Sequence, residues 1–195
     1  MKKTLYIMRH GQTLFNLQHK IQGWCDAPLT TLGIQQAQVA RDYFVKHNVH
    51  FDAAYSSTSE RACDTLEIVT DYKMPYTRKK GLKEWNFGSF EGKDDYLNPK
   101  LPYGDFFKAY GGEGEKEFQN RVSTTIKKIA DQEEHETILI VCHGAALAQF
   151  AKKWDEYGLV KHKPGIGNCA IYQYEYENNV FTCVDIVKHD FSHLQ

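Results

Sequence analysis

The stretch "TLYIMRHGQTLFN", residues 4–16, is an apolar run that stops at Arg9 and His10 and is released by Gly11. The same arrangement returns at residues 137–150, "TILIVCHGAALAQF", where Ile138 to Val141 lead into Cys142, His143 and Gly144. That second run is short and apolar, as expected of a strand covered on both faces, and a helical pattern resumes after it. A third junction lies at residues 51–57, "FDAAYSS", which runs into "TSERACDTLEIVTDY" with Ala62, Leu66 and Val69 at helical spacing behind a Ser/Thr-rich start. Two further helices are predicted. One has Thr30 or Thr31 as cap and Leu32, Ala37, Ala40 and Phe44 near helical spacing; the other runs from Glu117 with Phe118, Val122, Ile126 and Ile129 on one face. "CAIYQYEY" and "VFTCVDIV" flank Asn178-Asn179 as a hairpin. Strands alternating with helices predict an α/β three-layer sandwich, with a mostly parallel central sheet and helices on both faces.

In such a sheet the ligand site lies beyond the carboxyl ends of the strands. Arg9, His10, the Ser56-Ser57 junction with Arg61, and His143 therefore collect along one edge. Gly11 and Gly144 are expected to let the backbone turn sharply and approach a ligand closely. Basic side chains beside helix starts make an anion pocket, and phosphate is the natural occupant. A neutral His10 imidazole can attack phosphorus if its other nitrogen donates to a backbone carbonyl. Arg9 and Arg61 offer donors to the equatorial oxygens and His143 adds another. An alkoxide leaving group needs a proton from a carboxylic acid, for which Glu84 in "LKEWNFG" is the candidate, with Glu91, Asp94 and Asp95 close by in sequence.

The composition agrees with a focused site. The 195 residues, 42% of them hydrophobic, fit one domain spanning 1–195. A net charge of -1 provides no global field for nucleic acid or an anionic membrane, so the expected partner is a small-molecule phosphate ester. The start "MKKTLYIMRHG" is too short and too interrupted for a signal peptide, and a cytoplasmic location is expected. Five scattered cysteines without a Cys-x-x-Cys pair argue against disulfides and structural zinc. Cys142 reads as a packed thiol, and the remaining histidines lack metal-ligand spacing. Residues 93–114 mix Pro, Gly, charges and aromatics without a period and read as a lid-like insertion, whose Tyr103, Phe106, Phe107 and Tyr110 fit core or substrate wall.

Taken together, "RHGQTLFN", "GWCDAPLTTLGIQQA", "YSSTSERACDT", "LKEWNFGSFEG", "GEGEKEFQNRV" and "VCHG" resemble, in order, the histidine phosphatase superfamily, which contains the phosphoglycerate mutases. The resemblance covers nearly the whole chain. It implies that His10 becomes phosphohistidine, that Arg9, Arg61 and His143 hold the phosphoryl group, and that Glu84 is proton donor and later base. It also implies that Asn16, Gln22 and Gly23 contact phosphate or substrate, and that no metal or other cofactor is needed. The chain departs from its relatives at Gly114, where Ser is common. Mutases of the family carry a longer segment between the Glu84 region and the "GEGEKEF" helix. The short interval here points to a phosphatase branch, with a 2,3-bisphosphoglycerate-dependent mutase as the alternative and a catalytically idle phosphate-ester binder as the third reading.

Overall fold

The computed structural model describes residues 2–132 and 134–194. Its centre is a six-stranded sheet of β1 (Lys3–Arg9), β2 (Ala53–Ser56), β3 (Thr77–Arg78), β4 (Thr137–Cys142), β5 (Ile171–Glu177) and β6 (Val180–Val187), in the order β3-β2-β4-β1-β5-β6. The four strands from β3 to β1 are parallel, and β5 and β6 add an antiparallel edge. The predicted α/β sandwich with a mostly parallel sheet is therefore the fold observed. The hairpin turn is made by Asn178 and Asn179, with φ of 51° and 66°, a conformation Asn tolerates better than other side chains.

Alternation along the two central strands divides the core. Leu5 and Ile7 of β1, with Ile138 and Ile140 of β4, face α4 (Glu115–Gln132) and α5 (Gly144–Trp154), where Phe118, Val122, Ile126, Leu147 and Phe150 are buried. Tyr6 and Met8, with Leu139 and Val141, face α2 (Thr31–Lys46) and α3 (Glu60–Val69) through Ala37, Ala40, Phe44, Ala62 and Leu66. A strand that feeds two cores is apolar at every step, which is why the opening stretch reads as a continuous run. Thr30 caps α2, its hydroxyl accepting from Gly33 N at 3.0 Å. No helix among the described residues is long and apolar enough to cross a membrane.

Residues 93–114 form short 3-10 turns at Asp95–Leu97 and Phe106–Tyr110, held by rings. Phe107 is fully buried and stands edge-on to Phe87, Phe90 and Tyr103. Phe106 and Tyr110 pack on Phe90. The segment thus has a small aromatic core of its own, joined to the main one at Trp85.

Candidate active site

The parallel strands deliver their carboxyl ends to one edge. His10 N donates to Cys142 O at 3.1 Å and Ser57 N to Val141 O at 3.0 Å, which locks the residues after β1, β2 and β4 together. The His10 ring is 3% exposed, and its Nδ1 lies 2.7 Å from Gly11 O. A carbonyl only accepts, so Nδ1 carries the hydrogen and the Nε2 lone pair faces the site, where it accepts from Arg61 Nε at 3.3 Å. Burial and the neighbouring Arg61 and Arg9 hold this imidazole well below its usual pKa of 6.5, hence neutral.

Arg61 is fully buried and is the most constrained side chain of the site. Its Nη1 donates to Asp26 Oδ1 at 2.7 Å and Cys25 O at 3.0 Å, and its Nη2 to Gly23 O at 2.9 Å. Its Nε donates to His10 Nε2 at 3.3 Å, so of its five N–H groups one on Nη2 remains uncommitted. Arg9 Nη1 donates to Ile166 O at 2.6 Å, whereas its buried Nε donates to none of the described residues.

His143 is held by Ser57. The Ser57 hydroxyl lies 2.8 Å from His143 Nε2, accepts from Ser59 N at 3.3 Å and reaches Ser59 Oγ at 3.5 Å. His143 Nδ1 is buried and has no partner among the described residues. Burial, Arg61, His10 and Arg9 keep this ring neutral as well. The two imidazoles stand edge to face at 5.3 Å.

Glu84 is 7% exposed and sits at the start of α5. Its Oε2 accepts from Ala145 N at 2.9 Å, and its Oε1 from Ala146 N at 2.9 Å and Trp85 N at 3.0 Å. Burial raises its pKa from 4.5, opposed by the backbone N–H groups and by Arg61 and Arg9. The other carboxylates near it in sequence have separate duties. Glu91 accepts main-chain N–H groups from Gly23, Trp24, Cys25 and Phe87, and Asp94 pairs with Lys20. Glu113 takes Arg121 in a two-pronged pair, and Arg121 also donates to Glu84 O at 2.9 Å.

The three residues expected to contact substrate are placed differently from one another. Gln22 Oε1 accepts from Thr13 Oγ1 at 2.7 Å, while its buried Nε2 is without a partner among the described residues. Asn16 spends its Oδ1 on Thr13 N and on Asn168 Nδ2. Gly23 has both main-chain groups committed, N–H to Glu91 and C=O to Arg61, so it positions Arg61 and offers no donor of its own. A Cβ on Gly23 would lie 2.0 Å from Trp85 O, which explains the glycine.

The expected glycine turns are corrected in the same way. A Cβ on Gly11 would meet Gly33 O at 2.4 Å, and one on Gly144 would meet Arg9 Nε at 3.3 Å. Both are needed for close packing of the protein against itself, and neither has a positive φ. Sequence reasoning missed Asp26 and Asn168, and placed Ser57 at the site edge without its contact to His143. Asn168 donates to His10 O at 3.1 Å and bridges to Asn16 from the far end of the chain. The Cys142 thiol is buried and pushed up to about 12, so it is not a thiolate at neutral pH. His162 is half-buried, 2.9 Å from Tyr172 OH.

A cleft of about 780 Å³ opens from Arg9 and Glu84 between α5 and residues 101–103. A second depression of about 730 Å³ lies between the ends of α2 and α3 and contains none of the site residues.

The family model described as "Histidine phosphatase superfamily (branch 1)" matches residues 5–189. A 2,3-bisphosphoglycerate-dependent phosphoglycerate mutase of Rhizobium etli is 37% identical over 101 residues, about half the length of either chain (49% of this one, 48% of that one). The adenosylcobalamin/alpha-ribazole phosphatase of Escherichia coli is 28% identical over 192 residues, covering 93% of this chain and 89% of that one. The crystal structure of a phosphoglycerate mutase from Bacillus anthracis superposes with a TM-score of 0.83 at 28% identity, covering 94% and 92% of the two chains.

Proposed function

Because this chain belongs to the histidine phosphatase superfamily, whose members include both phosphatases and mutases, we propose that it is a metal-independent phosphomonoesterase acting through a phosphohistidine at His10. The observation that carries this reading is the His10 tautomer. A neutral ring with Nδ1–H fixed on Gly11 O presents its Nε2 lone pair beside the Arg61 Nε–H.

In the first step Nε2 forms a bond to phosphorus as the bond to the ester oxygen breaks. The ring becomes cationic, and the Nδ1–H bond to Gly11 O stabilises that charge. Arg61 Nη2–H, Arg9 Nε–H, Gln22 Nε2 and His143 in its Nδ1–H tautomer are the donors for the phosphoryl oxygens, joined by Arg61 Nε–H once Nε2 of His10 has bonded to phosphorus. The alkoxide takes its proton from Glu84, whose raised pKa favours the acid form. The resulting carboxylate then removes a proton from water, which attacks phosphorus and returns His10 to its neutral state. The open cleft beside Glu84 favours hydrolysis over transfer to a second substrate, since a mutase must keep water from its phosphohistidine.

The test is phosphate release from a panel of esters in EDTA, with His10→Ala as control and with 3-phosphoglycerate present or absent 2,3-bisphosphoglycerate. Release that vanishes in His10→Ala is expected. Conversion of 3- to 2-phosphoglycerate without release would make the protein a mutase.

A further inference from the structure

The cleft outside Arg9 and Glu84 has the chemistry of a binding site for the alcohol half of the ester. Its wall is formed by Trp85, Leu101, Pro102, Tyr103, Ala148 and Ile166. Leu101 is 75% exposed, an apolar side chain left open to solvent at the rim. The Tyr103 ring is set edge-on by Trp85 at 5.4 Å and by Phe107 at 5.3 Å, so this part of the wall is rigid.

The charges lining the cleft are few and committed. Lys152 is the one lysine or arginine besides Arg9 among the described residues lining it. Its Nζ is 2.9 Å from Glu115 Oε1. Glu115 is itself anchored, with Oε2 accepting from Gly104 N and Oε1 from Gln149 Nε2, each at 3.1 Å. The Lys152 bond and these two contacts hold its carboxyl below the usual value, so it stays ionised. Asp155 adds a second negative group, and burial lowers the pKa of His162, which leaves that ring neutral. A substrate carboxylate or second phosphate would meet one lysine already paired and two carboxylates. A flat uncharged ring would meet apolar surface.

Resting on the phosphomonoesterase reading above, we propose that this compartment selects esters with an uncharged aromatic alcohol part and rejects those bearing a second anion. Glu115 sets the selectivity by holding Lys152 away from substrate.

The test measures binding separately from turnover. Calorimetry on His10→Ala protein compares 2-naphthyl phosphate with 3-phosphoglycerate, and the naphthyl ester should bind at least about 100-fold more tightly. In the same background Glu115→Gln should tighten 3-phosphoglycerate about tenfold, the worth of one freed charge-assisted hydrogen bond, and leave the naphthyl ester within about threefold. Lys152→Ala alone should leave the ratio of the two ligands unchanged and, combined with Glu115→Gln, should abolish the gain. Equal affinities for the two esters, or equal effects of Glu115→Gln on both, would overturn the proposal. Turnover of the same pair by the unaltered protein judges the other reading: absence of His10-dependent release removes the phosphatase while the binding ratios still decide the compartment.

Discussion

Asp26→Ala isolates the strongest electrostatic constraint in the site. Arg61 has no exposed surface, and Asp26, whose side chain is 28% exposed, is its carboxylate partner at 2.7 Å. Asp26 also accepts from Glu60 N at 2.5 Å, doing at the start of α3 what Ser59 does not, since Ser59 makes no side-chain cap bond. Breaking a buried pair from one side costs about 3–5 kcal/mol, because the remaining charge is stranded. The partial exposure of Asp26 and the two carbonyls that Arg61 keeps place this case at the low end, about 3 kcal/mol. For a chain of this length, that lowers Tm by about 6–12 °C. A freed guanidinium also leaves His10, so kcat/KM should fall about 100-fold. Inorganic phosphate can replace the missing carboxylate as counter-charge, and 10 mM phosphate should raise Tm more in the variant than in the parent. Differential scanning fluorimetry with and without phosphate reads both effects. A Tm within 2 °C of the parent, together with the same phosphate response, would refute the claim that Asp26 compensates Arg61.

Three further outcomes follow from the site. Glu84→Gln should slow hydrolysis of alkyl phosphates far more than that of p-nitrophenyl phosphate, by about 100-fold or more against less than about tenfold, because a good leaving group needs little protonation; steady-state kinetics on both esters would show equal losses if another acid serves. His10 and His143 are buried neutral, with native pKa values well below 6.5. The unfolded chain thus takes up two protons that the native state refuses, and stability is lost as pH falls below about 6.5, at a slope approaching about 2.7 kcal/mol per pH unit. Glu84 acts in the opposite sense, its raised pKa adding stability as pH falls through the native value toward 4.5. Urea unfolding at pH 7.5, 6.5 and 5.5 should show the histidine loss, reduced in His10→Ala, and identical midpoints would contradict it. Activity should survive EDTA and be inhibited by vanadate, whose five-coordinate form imitates the phosphoryl group in flight; losses in EDTA restored by an added metal would point to another mechanism.

Much of the fold was legible because β1 and β4 are apolar on both faces and end abruptly in His-Gly. Arg9, His10 and His143 were readable for the same reason, since position after a strand is enough to place them. Glu84 was legible only as one of several nearby acids. What separates it is tertiary: Glu84 lines the cleft together with Arg9, and Glu91, Asp94 and Asp95 do not. Asp26, Ser57 and Asn168 act on residues 35, 86 and 158 positions away, and no local pattern announces such contacts. Residues 93–114 have no period because ring-on-ring contacts organise them, and ring pairing has no sequence repeat. Gly23 is required by the neighbouring Trp85 carbonyl, and a glycine so required looks, in sequence, like one required by phosphate.

The position of β1 in the sheet has a consequence for synthesis. Its hydrogen-bonding neighbours are β4 and β5, which follow it far along the chain and end at Cys142 and Glu177. At roughly 5–20 residues per second, the ribosome needs about 8–33 s after His10 to deliver the last of them. An apolar strand waits in the nascent chain with both edges open until β4 is made and with one open until β5 follows, the kind of segment that chaperones cover. Cys169 N and Asn168 Nδ2 also reach back to His10 O, so that carbonyl is secured from a distant part of the chain. Fragments that stop short of Ile171 retain His10, both arginines, Glu84 and His143 but lack the antiparallel edge that braces β1, and should be inactive although every side chain of the candidate site is present.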